Sequence, residues 1–396
     1  MNAFLTTLVL SAGLLAAPDA RQRPALEVRI DEHPIRLALD TGAETLLLFS
    51  HAADRIGLGY HKPEKEFDPA RKRPGEVAVF PSDVCRLRIG ATESDGRLLI
   101  CEIPPAGQSP GIDGVLGWAN LATGILYINW GQRVFTSLSA VPALAPPWRG
   151  FDLYSSPSVH ILALRVSRTP GLAQAVYVDT GDPDGVGVTS ATWDAIVSRH
   201  PGLPTAIRAC YTPGIGHFVR TICWIKELKL GGIELHDVPV HEAPKGFQQW
   251  PSYLATIGLY GLTRLELIVD GRHNRAHVRA RKDYPQEYDY NRLGAVFLPS
   301  NSPSQDLVAT VLTGSPADKA GVRNGDRLLQ VDGNDVTAWA TDPNVMTRIN
   351  TLFAQPAGTE LRLTIVRDAC PEDVSVILQE TLPIKAGPTS RQESRG

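Results

Sequence analysis

The sequence has no surplus of basic residues: 39 Lys and Arg stand against 42 Asp and Glu, a net charge of −3. That balance removes the electrostatic footprint of a nucleic-acid binder or of a protein held on an anionic membrane. Peptide, protein and small-molecule partners remain. Long apolar runs are missing as well. The stretch FLTTLVLSAGLLAA, residues 4–17, has the length of a signal-peptide core and falls short of a bilayer span, so no stable transmembrane segment is expected. Ala20 offers a cleavage end, although no Lys or Arg precedes the run. Residues 1–20 are therefore expected to be a signal peptide, and the protein to be exported to a periplasmic or extracellular space. An uncleaved anchor or a buried N-terminal segment is the alternative. No CxxC pair and no His-rich cluster is present, so neither a metal nor a cofactor is expected. No GxSxG surrounds any serine, which excludes the usual nucleophile elbow. Cysteine is scarce and odd in number. Cys85/Cys101 and Cys210/Cys223 are spaced to bridge hairpins in an oxidising compartment, and five unlinked thiols are the other reading.

Glycine (35) and proline (31) are plentiful and scattered, which favours short strands joined by many turns. Segments such as LEVRI, IRLALD, TLLLFS, DVCRLRIG and LYINW read as strands, and the fold class is mainly β. The proline-rich VPALAPPWRG breaks the pattern around 141–150. Strands resume with VHILALRVS and AQAVYVD, and a helix is expected at SATWDAIVSRH with Ser190 as its cap. The polar, tyrosine-rich RKDYPQEYDYNR then separates a third segment. The division is 25–145, 150–282 and 288–385, with a disordered tail at 386–396.

An internal duplication underlies the first two segments. Asp-Thr-Gly begins at Asp40 and again at Asp179; Gly117 of DGVLGW lies 77 residues after the first, and Gly258 of ATIGLYG lies 79 after the second. Parallel phrases follow each glycine. At ordinary residue frequencies a chain of this length holds about 0.1 copies of Asp-Thr-Gly by chance, so two copies with matched sequels point to a shared unit.

An Asp at a tight turn ending an apolar strand presents its carboxylate to a cleft, and the glycine permits close backbone approach. Two such carboxylates within hydrogen-bond reach cannot both ionise cheaply and hold one proton between them. A water between them loses a proton to the ionised partner as it attacks an amide carbon, while the protonated partner donates to the carbonyl oxygen.

These residues resemble the aspartic proteases: LALDTGA and VYVDTG, each followed by GVLG or TIGLYG, are arranged as in the two-lobed pepsin-like enzymes, with a lobe size closer to retroviral-type bacterial relatives. The resemblance covers roughly residues 25–280. It implies two pepsin/retropepsin-like β-barrel lobes, an aspartic endopeptidase acting on a polypeptide substrate, Asp40 and Asp179 as the catalytic pair, Thr41 and Thr180 tying the turns together, and Gly42 and Gly181 letting them approach. The second copy departs from the pattern: Asp182 stands where Ser, Thr or Ala is usual, and a third carboxylate beside the pair would raise its proton affinity or misplace its water. A flap over the cleft is expected from CYTPGIGHFVRTIC, with Gly214 and Gly216 at its tip, and in the first lobe from RPGEVAVFPSDVC, with Phe80 lining the cleft. His217, His236 and His241 lack ligand spacing and are expected at surface or hairpin positions.

The third segment, with LVATVLTGSPADKAGVRNGDRLLQVDGNDV, predicts a strand, a helix entered through Ser315-Pro316 and ended at Gly321, and a two-strand unit with turns at Gly325-Asp326 and Asp332-Gly333. It closely resembles the bacterial PDZ domain. That resemblance implies that Leu293, Gly294, Ala295 and Val296 form a loop whose backbone N–H groups receive peptide C-termini. The competing reading of the whole chain is a non-catalytic peptide-binding PDZ protein whose protease lobes have decayed.

Overall fold

Hydrogen bonding of short, apolar-rich strands dominates the computed structural model, which describes residues 23–62, 77–103, 111–156, 160–167, 174–212, 215–300, 306–342 and 344–384. The expected signal peptide, residues 1–20, and the expected tail, 386–396, lie outside the described residues, as does Gly214. No helix among the described residues is long and apolar enough to cross a membrane.

Six strands of the first segment close into a barrel. Within it, strand His33–Asp40 runs parallel to Gly114–Gly117 with Asp40 opposite Gly117, and Leu47–Phe49 flanks the same short strand antiparallel. The second segment repeats this arrangement. Ala175–Val178 runs parallel to Tyr253–Ile257, and Val186–Val188 flanks that strand antiparallel. The residues of the two sequence repeats thus form the same local topology, with the apolar-apolar-Gly strand threaded behind each Asp-Thr-Gly turn. Among the described residues the second copy does not close separately, in contrast to the expected pair of barrels. Its strands belong to a twelve-stranded sheet in which Leu265–Asp270 pairs antiparallel with Ile125–Asn129 of the first segment. One apolar core consequently runs through both segments, from Val28 to Val278.

Residues 295–377 form a separate sheet with the expected local chemistry. Ser315 caps the short helix Pro316–Lys319, and Gly321, Gly325 and Gly333 all have positive φ at the predicted turns. Among the described residues the edge strand Ala295–Pro299 has one ladder neighbour, Leu307–Val311, and the helix Val345–Phe353 packs into the same core.

Several expectations are corrected by packing. The helix Ser190–Arg199 is capped by Thr189, whose hydroxyl accepts from Thr192 N; Ser190 is already helical and its hydroxyl donates to Glu242 Oε1. Among the described residues, which include all five cysteines, no disulfide forms. Strand register explains why: Cys85 lies opposite Gly96 while Cys101 lies opposite Val79, six positions and about 20 Å along the same strand from Cys85. Cys210 faces Phe218, and Cys223 faces Thr205. The tyrosine-rich stretch is not a free spacer, because Tyr288 and Tyr290 are buried with Trp224, Ala206 and Leu382.

Candidate active site

Each Asp-Thr-Gly turn follows a strand buried on both faces, which drives its carboxylate out at the strand end and into the junction of the two repeats. The turns are interlocked by their threonines, both fully buried. Thr41 Oγ1 donates to Val178 O at 2.7 Å, and Thr180 Oγ1 donates to Leu39 O at 2.7 Å. In return Thr41 N donates to Thr180 Oγ1 at 3.0 Å, and Thr180 N to Thr41 Oγ1 at 3.1 Å. The four bonds are related by a local twofold, so neither turn can shift without breaking contacts to the other.

This lock sets each carboxylate against the glycine of the opposite turn. A Cβ at Gly42 would lie within 2.7 Å of the Asp179 carboxyl atoms, and one at Gly181 within 2.6 Å of those of Asp40. Only glycine fits at either place. Within each turn the carboxylate is oriented by its own backbone: Asp40 Oδ1 accepts Gly42 N at 2.9 Å, and Asp179 Oδ1 accepts Gly181 N at 2.8 Å and Asp182 N at 3.1 Å. The second oxygen of each carboxylate is left for a proton or a water. Burial, then the neighbouring charge of Asp40 and then that of Asp182, raise the Asp179 carboxyl well above the usual carboxylate range. The structure therefore brings together Asp40, Thr41, Gly42, Asp179, Thr180 and Gly181 as a single constellation.

Asp182 does not point freely into solvent. Its carboxylate accepts from Arg220 Nη1 at 3.2 Å and from Asp184 N at 3.0 Å. Asp184, fully buried, bonds Arg208 at 2.5 Å and also Arg220. Against a burial penalty that would raise it, these two guanidiniums hold the Asp184 carboxyl well below the ordinary range. His241, buried on the hairpin strand Ile233–Glu242, joins this cluster, and burial, reinforced by Arg220, lowers its imidazole to about 3. Tyr288 approaches Asp184 Oδ1 at 3.5 Å. The sequence reading missed this cluster. Its signal was an arginine on the otherwise apolar, alternating strand TAIRACYT, opposite another at Arg220.

The proposed flap residues Phe80 and Gly216 both fall on hairpins, Gly216 directly at its turn opposite Thr212. Phe80 is buried in strand Ala78–Ile89 and stacks on Tyr60 at 6.3 Å. Gly216, with φ of 86°, opens strand Gly216–Leu230 and is buried. The strand before it, Thr205–Thr212, packs against the third segment: Ile207 and Ala209 belong to the same core as Leu293, Ala295, Val296 and Phe297. Of the proposed peptide-binding loop, Leu293, Ala295 and Val296 are fully buried, and the N–H groups of Leu293 and Gly294 both donate to Asn291 Oδ1 at 2.9 Å. Among the described residues no cluster of His, Cys, Asp and Glu is arranged to hold a metal ion.

Comparison with known proteins finds a PDZ domain at residues 307–367. A PDZ domain implies a peptide-binding or regulatory role for the third segment. No curated protein matches the chain.

Proposed function

We propose that the protein is an aspartic endopeptidase of the two-lobed, pepsin/retropepsin-like kind, exported, with its PDZ domain binding peptide C-termini or regulating access to the cleft. The observation that carries the proposal is the reciprocal threonine lock, which sets the Asp40 and Asp179 carboxylates each against the other turn's glycine. The raised Asp179 carboxyl makes it the proton-holding member of the pair. Asp40 then takes the proton of the attacking water, and Asp179 donates to the carbonyl oxygen of the scissile amide. In the tetrahedral intermediate the roles are exchanged: Asp40, now protonated, donates to the departing amine while Asp179 takes a proton back from the intermediate's hydroxyl as the carbonyl re-forms, which restores the pair. No covalent enzyme intermediate is required.

Asp182 is compatible with this chemistry, since Arg220 offsets its charge. The test is hydrolysis of an unfolded protein by the parent and by Asp40→Asn, from acidic to neutral pH, with a pepstatin-type transition-state mimic as control. The amide cannot accept water's proton, so the variant is expected to lose cleavage altogether. Equal cleavage by both proteins would assign the activity to another site, and cleavage by neither would leave the peptide-binding reading of the PDZ domain standing alone.

A further inference from the structure

The peptide groove of a PDZ domain lies along an open sheet edge, where a chain end adds as a further strand. Here that edge is Ala295–Pro299, bonded among the described residues on one side only, by Leu307–Val311. The hairpin strand Thr205–Thr212 of the second repeat packs against both this edge strand and the helix Val345–Phe353. Ile207 and Ala209 are buried in the PDZ core beside Val296, Ile349 and Phe353. Asn350 Nδ2 donates to the main-chain oxygen of Ala209 at 2.9 Å, a bond from the helix to a backbone group. Two N–H groups at the head of the groove are already given to Asn291 Oδ1.

Side chains alternate along a strand, so its other face looks the opposite way. Arg208, between Ile207 and Ala209, bonds Asp184 at 2.5 Å. Asp184 N donates to Asp182 Oδ1, and Asp182 N donates to Asp179 Oδ1. One strand thus touches the PDZ domain with one face and braces the Asp179 turn with the other.

We infer that the PDZ groove is occupied in cis by strand Thr205–Thr212, so that a peptide carboxy terminus binds by displacing this strand and thereby alters the support of the Asp179 turn. The catalytic consequence rests on the proposed function; the displacement does not. A peptide ligand and the hairpin compete for one groove, and each weakens the hold of the other.

The test uses the full chain carrying Asp40→Asn, so that probes are not cut, and an array of hexapeptides with free carboxy termini alongside their carboxamides. Ile207→Asp removes the apolar anchor, and Asn350→Ala removes the backbone tether should the first variant fold poorly. Expected results are at least tenfold tighter binding of free-carboxylate peptides by either variant, and at least tenfold faster amide exchange in residues 205–212 when the parent is saturated with peptide. Equal affinity for parent and variants overturns the inference. So does an undiminished protection of residues 205–212 with peptide bound, and so does binding by none of the three proteins. Failure of the protease reading would show instead as absent hydrolysis by the protein with Asp40 intact, with these binding results unaffected.

Discussion

Thr180 shows how much the site depends on a few hydroxyls. Its Oγ1 donates to Leu39 O and accepts from Thr41 N, both in a buried setting. Thr180→Val keeps the shape and removes the hydroxyl, leaving a donor and an acceptor unpaired at about 1–3 kcal/mol each. The expected outcome is a loss of about 2–6 kcal/mol in chemical denaturation, with activity falling further than stability because the turns lose their register. Asp182 sets a second prediction. Its negative charge helps raise the Asp179 carboxyl, so Asp182→Asn lowers that group's proton affinity. In the proposed mechanism Asp179 must be protonated to donate, so the alkaline limb of the pH–rate profile should move to lower pH by about half a unit to one unit. A superimposable profile would make Asp182 a bystander. The sequence made Asp40, Thr41 and Gly42 and their second copies legible because the constraint on them is local. Each residue acts through its own turn, and the repeat marks the partner. Arg220 was not legible, since its acidic partners lie 36 and 38 residues away.

At the scale of elements, strand pairing was predictable where the chain folds back at once and obscure where it meets a distant surface. The hairpin from Thr205 to Leu230 is plain in its alternation and turn residues. What the sequence does not announce is that Ile207 and Ala209 on one of its strands find a second core, supplied only after residue 290. The neighbouring strand Ile233–Glu242 carries a titratable group into the same region. Burial holds His241 at about 3, against an ordinary value near 6.5, with Arg220 and Arg208 opposing its protonation and Asp182 and Asp184 favouring it. Between these values the unfolded chain binds a proton that the folded chain does not, so stability is lost as pH falls from 6.5 toward 3, at about 1.4 kcal/mol per unit. The raised Asp179 acts in the opposite direction over the acidic range. His241→Gln removes only the histidine's share. Urea midpoints at pH 7, 5 and 4 should fall less steeply for this variant than for the parent, and parallel slopes would show that His241 does not carry the loss.

At the scale of the molecule, duplication and appended domain were both readable, while their union was not. Nothing in residues 281–292 announces burial, since the stretch is polar; yet Tyr288 and Tyr290 pack on Trp224 and Ala206, and Leu382 closes the same cluster from the far end of the PDZ domain. A second cluster joins Ile207 and Ala209 to residues as distant as Leu378. Tethered domains that merely touch unfold separately, whereas apolar cores shared across a boundary couple their unfolding. Calorimetry should therefore show the PDZ domain melting together with the second repeat in one transition. Ile207→Asp, which places a charge in the shared core, should lower that transition and split the PDZ contribution from it. A parent that already shows two separate transitions would mean that the contact is too weak to link the domains. Deleting everything after residue 284 leaves Ile207, Ala209, Trp224 and Tyr260 uncovered together. That truncated chain should aggregate at concentrations where the full chain stays in solution, as light scattering would report.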